Sequence, residues 1–181
     1  MLKKIVSIYI MPLLTSTVVA MAILALRVSQ NPIEISLILL GAFISVFVLD
    51  LDYFLYAYFI ETDSDFSRNL RAYFSHRDFS GGLAYLASHK DYIEDKALNS
   101  AIFQIALALL SIFLAFSNTN IFLKTIVYST FANSIYRSIE SYIEFGPKYW
   151  FWSIKNKPSR EIFVIYLIFM ILVLFGALYF I

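Results

Sequence analysis

The stretch IEISLILLGAFISVFVLDLDYFLYAYFI, residues 33–60, decides how this chain is read. It is apolar nearly throughout and exceeds the roughly 20 residues that cross the hydrocarbon core of a bilayer. A segment this long must tilt, or let its last turns leave the hydrocarbon. Two carboxylates, Asp50 and Asp52, stand toward its end. An ionisable group carried toward lipid is costly, so it faces a protein interior or an aqueous cavity and marks a site.

Outward from that stretch the composition stays of one kind. Of the 181 residues 60% are hydrophobic and 15% charged, far from the balance of a soluble domain. The length suits one integral membrane domain over 1–181, with no separate soluble domain. A formal charge of +1 offers nothing for nucleic acid to bind. With no cysteine in the chain, disulfides, thiolate metal sites and a cysteine nucleophile are excluded. Apolar runs predict an all-α, polytopic membrane helix bundle of five transmembrane helices: about 5–26, 33–60, 97–116, 121–139 and 162–181. Ala20-Met21-Ala22 has the small-x-small form of a cleavage site, yet the apolar run continues to Leu26, which predicts an uncleaved anchor.

Five spans with the N-terminus inside put residues 61–96 and 140–161 in the cytoplasm and the C-terminus outside. Twelve Lys and Arg then fall inside, counting Arg137 at the inner end of the fourth span, and two outside, Arg27 and, at the outer end of that span, Lys124. That asymmetry predicts an integral protein of the cytoplasmic membrane in this orientation. The partners it implies are the bilayer and either a second copy of the chain or another membrane-complex subunit.

The orientation brings polar residues of three spans to one depth. Asp50 and Asp52 lie toward the cytoplasmic end of the second span, Arg137, Glu140 and Glu144 toward that of the fourth, and Asn99, Ser100 and Gln104 at the start of the third. Asn133, Arg137, Glu140 and Glu144 follow at i, i+4, i+7 and i+11, one helical face. Positions 50 and 52 lie about 200° apart on an α-helix, so both address one site only if the helix unwinds or ends there. Both histidines, His76 and His89, fall in the cytoplasmic segment over this region; His89 is read as a solvated loop residue. In that segment Ser64 or Asp65 is expected to cap an amphipathic helix along the membrane surface, with Phe66, Leu70, Tyr73 and Phe74 on one face. Ser80-Gly81-Gly82 is expected to break it, before a short helix over Leu83–Ala87 and a charged turn from Lys90 to Lys96. Gly146-Pro147 should end the fourth helix. Tyr149-Trp150-Phe151-Trp152 reads as an interfacial aromatic anchor, and Lys155, Lys157 and Arg160 as headgroup contacts.

Asp50-Leu51-Asp52, His76-Arg77-Asp78-Phe79-Ser80-Gly81-Gly82 and Tyr136 to Glu140 together resemble the motifs of the predicted membrane-bound metal-dependent hydrolases. That family shows Asp-x-Asp-His, then His-Arg-Gly-x-Thr-His-Ser, then His-x-x-x-Asp. Tyr53, Gly81 and Tyr136 stand where it has histidine, and Asp78 replaces a glycine. The resemblance spans about 45–145, and the surviving polar groups would make a metal centre on Asp50, Asp52, His76 and Glu140, with Glu144 as a further candidate ligand and with His76 and Glu140 as proton-moving groups. An oxygen-rich set of this kind suits Mg²⁺ or Mn²⁺ better than zinc, and the substrate it implies is a lipid headgroup or phosphorylated lipid. The second reading is non-catalytic: a scaffold or accessory subunit in which Asp50 or Asp52 pairs with Arg137, and Arg137 with Glu140, to hold helix register. It predicts closed ion pairs where the first predicts carboxylates and His76 converging on an open cavity.

Overall fold

A computed structural model of the chain describes residues 2–28, 30–89, 97–155 and 157–181. The described residues are helical and form no strand: α1 (Leu2–Arg27), α2 (Pro32–Val48), α3 (Leu51–Leu55) running into a π-helical turn (Tyr56–Ile60), α4 (Asp65–Ser75), α5 (Phe79–His89), α6 (Ala101–Ala115), α7 (Ile121–Phe145), α8 (Pro147–Trp150) and α9 (Arg160–Tyr179).

Helix starts follow from short polar side chains that take up orphan backbone N–H groups. Asn31 accepts from the Ile33 amide at 3.0 Å, ahead of Pro32 in the first turn, and Asn120 accepts from Phe122 at 2.9 Å. Ser64, Ser100 and Ser159 do the same for α4, α6 and α9. Gly146, with φ 74°, closes α7, as the sequence predicts, and Pro147 opens the short α8, which it does not predict.

The axis of the bundle is α7, which packs against α1, α2, α6, α8 and α9. It carries Thr125, Ser129, Thr130, Asn133, Ser134 and Ser138, all buried, whereas Val18, Leu109, Phe113, Ile165 and Phe175 are more than 60% exposed. Polar small residues inside and large apolar ones outside are the pattern of helices packed in lipid, where association relies on close backbone approach and interhelical hydrogen bonds. At Gly41 an added Cβ would stand 3.0 Å from the Phe122 carbonyl oxygen and 3.2 Å from Thr125 Cβ. Gly41→Leu is therefore expected to destabilise the fold by about 1–3 kcal/mol through overpacking. Gly176→Ala, where nothing lies within 4 Å, is the control that should leave thermal stability in detergent undiminished.

Two helical stretches are long and apolar enough to cross a membrane, Tyr9–Arg27 and Arg160–Tyr179, and a third candidate is the pair Pro32–Val48 and Leu51–Ile60, bent by 45°. The other two predicted spans do not stand out by length and composition. α6 has 15 residues, and α7, at 25 residues, owes its burial to its neighbours and carries the polar side chains named above.

The run 33–60, expected either to tilt or to let its last turns leave the hydrocarbon, is not one continuous helix. The chain turns at Leu49 and Asp50, where the Asp50 amide donates to the Phe47 carbonyl at 3.0 Å. Beyond it, α3, the π turn, α4 and α5 build a satellite core of Tyr53, Ala57, Phe66, Leu70 and Leu86. Ser64 caps α4 as expected, but the apolar face of α4 is covered by α5 and the π turn: Phe66 and Leu70 are at most 1% exposed. The expected break at Ser80-Gly81-Gly82 falls earlier, at 76–78, with Arg77 at φ 58°. The physical reason is Asp78, whose carboxylate accepts from the Gly81 amide at 2.8 Å and the Ser80 hydroxyl at 3.1 Å, so that the glycines become the first turn of α5. Gly82 permits the α4–α5 approach, since a Cβ there would meet the Phe74 ring at 2.9 Å. The charged turn expected over Lys90 to Lys96 lies outside the described residues.

Half of the aromatic run after α7 is core rather than anchor, while Tyr149 is half-buried and Trp152 exposed. Trp150 and Phe151 are buried with Ala101 and Phe163, and Tyr142 stacks on Phe163 at 4.0 Å. Lys157 Nζ donates to the carbonyls of Phe151, Trp152 and Ile154 at 2.8–3.0 Å, so it ties its own loop together rather than reaching for a headgroup.

Candidate functional site

The turn between α2 and α3 sets the geometry of the polar cluster. It breaks the 200° separation of positions 50 and 52 and sends each carboxylate to a different partner. Asp50 Oδ1 accepts from Arg137 Nη2 of α7 at 2.6 Å, with the two side chains 11% and 14% exposed. Asp52 Oδ2 accepts from the backbone amides of Leu98 and Asn99 at 2.9 and 2.8 Å, and from Asn99 Nδ2 at 2.9 Å. Asn99 closes the circuit: its Nδ2 also donates to the Leu49 carbonyl at 2.9 Å, and its Oδ1 accepts from Arg137 Nη1 at 3.4 Å. Asp50, Arg137, Asn99 and Asp52 therefore form one continuous chain linking the α2–α3 turn, the entry to α6 and the middle of α7.

The charges are balanced locally. A guanidinium answers Asp50, while Asp52 sits at the N-terminal approach to α6, where amide dipoles and the helix macrodipole favour an anion. Toward the Asn133 end, Asn133 Nδ2 donates to Ser16 Oγ at 2.9 Å, and Ser16 and Ser45 share a hydrogen bond of 2.9 Å, joining α1, α2 and α7. Sequence reasoning missed Ser16 and Ser45: Ser16 is the centre of Thr15-Ser16-Thr17 and Ser45 stands alone in an apolar run, and only their place opposite Asn133 marks them.

The other predicted site residues lie elsewhere. Gln104 Oε1 accepts from Trp150 Nε1 at 2.9 Å and Tyr166 Oη at 2.6 Å, which staples α6 to α8 and α9. Glu140 is half-buried and accepts from Tyr136 Oη at 3.3 Å, so Arg137 pairs with Asp50 and not with Glu140. Glu144 is exposed further along α7. His76 is exposed at the end of α4, beside a pocket of about 410 Å³ lined also by Asn69, Tyr73, Asp78 and Tyr85. His89 is not a solvated loop residue: it ends α5, half-buried, stacked on Tyr85 at 4.2 Å with Nδ1 3.0 Å from the Tyr85 carbonyl oxygen.

Among the described residues no group of three or more His, Asp or Glu is placed to hold one metal ion. The donor chemistry is consistent with that. Asp50 Oδ2 is buried without a hydrogen-bond partner, but the guanidinium beside it repels a dication, and Asp52 Oδ2 already accepts three N–H groups.

Fold and cluster together define a class: an all-helical protein with apolar helices fit to cross a membrane, fastened around a buried ion pair. Set against known protein families, curated proteins and solved structures, the chain matches none.

Proposed function

We propose that the chain is a non-catalytic scaffold or accessory subunit of a membrane complex, with five spans and a cytoplasmic N-terminus. Its carboxylates act as a lock on helix register. The observation that carries this reading is the buried Asp50–Arg137 pair at 2.6 Å, continued through Asn99 to Asp52. A membrane-inserted ion pair of this kind holds helices in one arrangement because separating its members exposes a charge to hydrocarbon.

The orientation is supported by the Lys and Arg distribution, twelve against two. A chain without cysteine permits a direct check by single introduced thiols. Gln30→Cys should react with an impermeant maleimide added outside the cell, and Ser75→Cys only after the membrane is opened.

The alternative rests on motif resemblance: a membrane-bound hydrolase using Mg²⁺ or Mn²⁺ on Asp50, Asp52, His76 and Glu140. Metal analysis of the detergent-purified protein decides between them. The scaffold reading expects no divalent ion after exposure to Mg²⁺, Mn²⁺ and Zn²⁺. About one ion per chain, lost in both Asp50→Asn and Glu140→Gln, would restore the hydrolase.

A further inference from the structure

Between α1, α7 and α9 runs a groove of about 470 Å³, within the size range of ligand sites. α1 and α9 barely meet, so α7 forms its floor. Ala132 and Ile135 lie buried there, and Leu14, Val18 and Phe175, each more than half exposed, stand as its rims. Its polar lining is Thr15 and Tyr136, and both are already bonded within their own helices. Thr15 Oγ1 donates to the Met11 carbonyl at 2.9 Å, and Tyr136 Oη donates to Glu140 Oε1 at 3.3 Å. Nothing in the groove asks for a polar occupant.

We propose that this groove holds one acyl chain of a membrane phospholipid, and that Glu140 at its end selects an amine-bearing head. The inference rests on the membrane reading above and goes beyond it. The lining offers no unpaired hydrogen-bonding group, and a hydrocarbon chain, unlike a helix fastened by interhelical hydrogen bonds, needs none. Its rims continue the exposed apolar surface of α1 and α9, so a chain enters sideways from the bilayer. At the Tyr136 end the half-buried Glu140, whose carboxylate accepts from Tyr136 Oη, directly follows the lining residue Ile139. A negative site there attracts an ammonium head and repels an anionic one.

The test uses the full chain in mild detergent, offered phosphatidylethanolamine or phosphatidylglycerol of identical acyl chains and read by native mass spectrometry. The wild type should retain about one phosphatidylethanolamine per chain, favoured about three- to five-fold over phosphatidylglycerol, the ratio a partly exposed ion pair carries. Ala132→Trp fills the floor and Val18→Trp narrows the rim without touching the core; both should lose either lipid while keeping wild-type helicity. Glu140→Gln should keep the acyl chain and lose the head preference. No retained lipid, or retention unchanged in both tryptophan variants, overturns the site. A preference that survives Glu140→Gln overturns the head assignment. A disulfide-linked dimer of Val18→Cys would show a second copy in the groove instead. Alkaline carbonate extraction separates the two levels: release of the chain from membranes refutes the membrane reading itself, whereas a chain that stays in the pellet without lipid refutes only the groove.

Discussion

Arg137→Met is expected to destabilise the protein by about 3–5 kcal/mol, because it leaves the buried Asp50 carboxylate uncompensated. Both side chains of the pair are less than 15% exposed, and the 2.6 Å bond is the partner contact of Asp50 Oδ1. Asp50→Leu should cost a similar amount by stranding the guanidinium, which would retain its 3.4 Å bond to Asn99 Oδ1. The double variant removes both charges and should cost less than either single change. Unfolding in mixed micelles, monitored by helix signal, measures the cycle. Additive effects would mean that the pair does not act as a unit, and the scaffold reading would lose its main support. A metal-holding cluster behaves differently, since stability would then depend on the ion supplied.

The second large effect belongs to Asp52. Asp52→Ala removes the acceptor of three donors, the Leu98 and Asn99 amides and Asn99 Nδ2, of which Asn99 Nδ2 keeps only its bond to the Leu49 carbonyl. A buried donor left without an acceptor costs about 1–3 kcal/mol, and because the three share one acceptor the sum is sub-additive, near 3 kcal/mol. Asp52→Asn keeps an oxygen in place and loses only the charge assistance, about 1 kcal/mol. Amide hydrogen exchange locates the damage: protection should fall first at the start of α6 in Asp52→Ala and stay near wild type in Asp52→Asn. Equal losses in both variants would show that charge, rather than hydrogen bonding, is what Asp52 supplies.

These two residues show how far the sequence could be read. Their cost in an apolar run, the polar stripe on α7 and the Asn99 level were all visible from spacing and composition. So was the choice between an open site and a closed pair. The closure itself was not, because it depends on a turn at Leu49 and Asp50 that no glycine or proline announces. The misreadings have the same origin. Trp150 and Phe151 look like an interfacial belt until Gln104 and Phe163 are found against them. Gly81 and Gly82 look like a helix break until Asp78 is seen capping the helix that contains them. Lys157 looks like a headgroup ligand until three carbonyls converge on it.

Local chemistry alone determined the helical class, the capped helix starts, the Gly146-Pro147 stop and the presence of apolar segments of membrane-crossing length. Those depend on periodicity, on short polar side chains at helix ends and on transfer free energy, all properties of residues near one another in the chain. Tertiary structure decided which polar group meets which. Asp50 finds Arg137 across 87 positions and Asn133 finds Ser16 across 117. Pairings over such distances are set by where whole helices cross, and a buried charge takes whichever partner the crossing brings within reach.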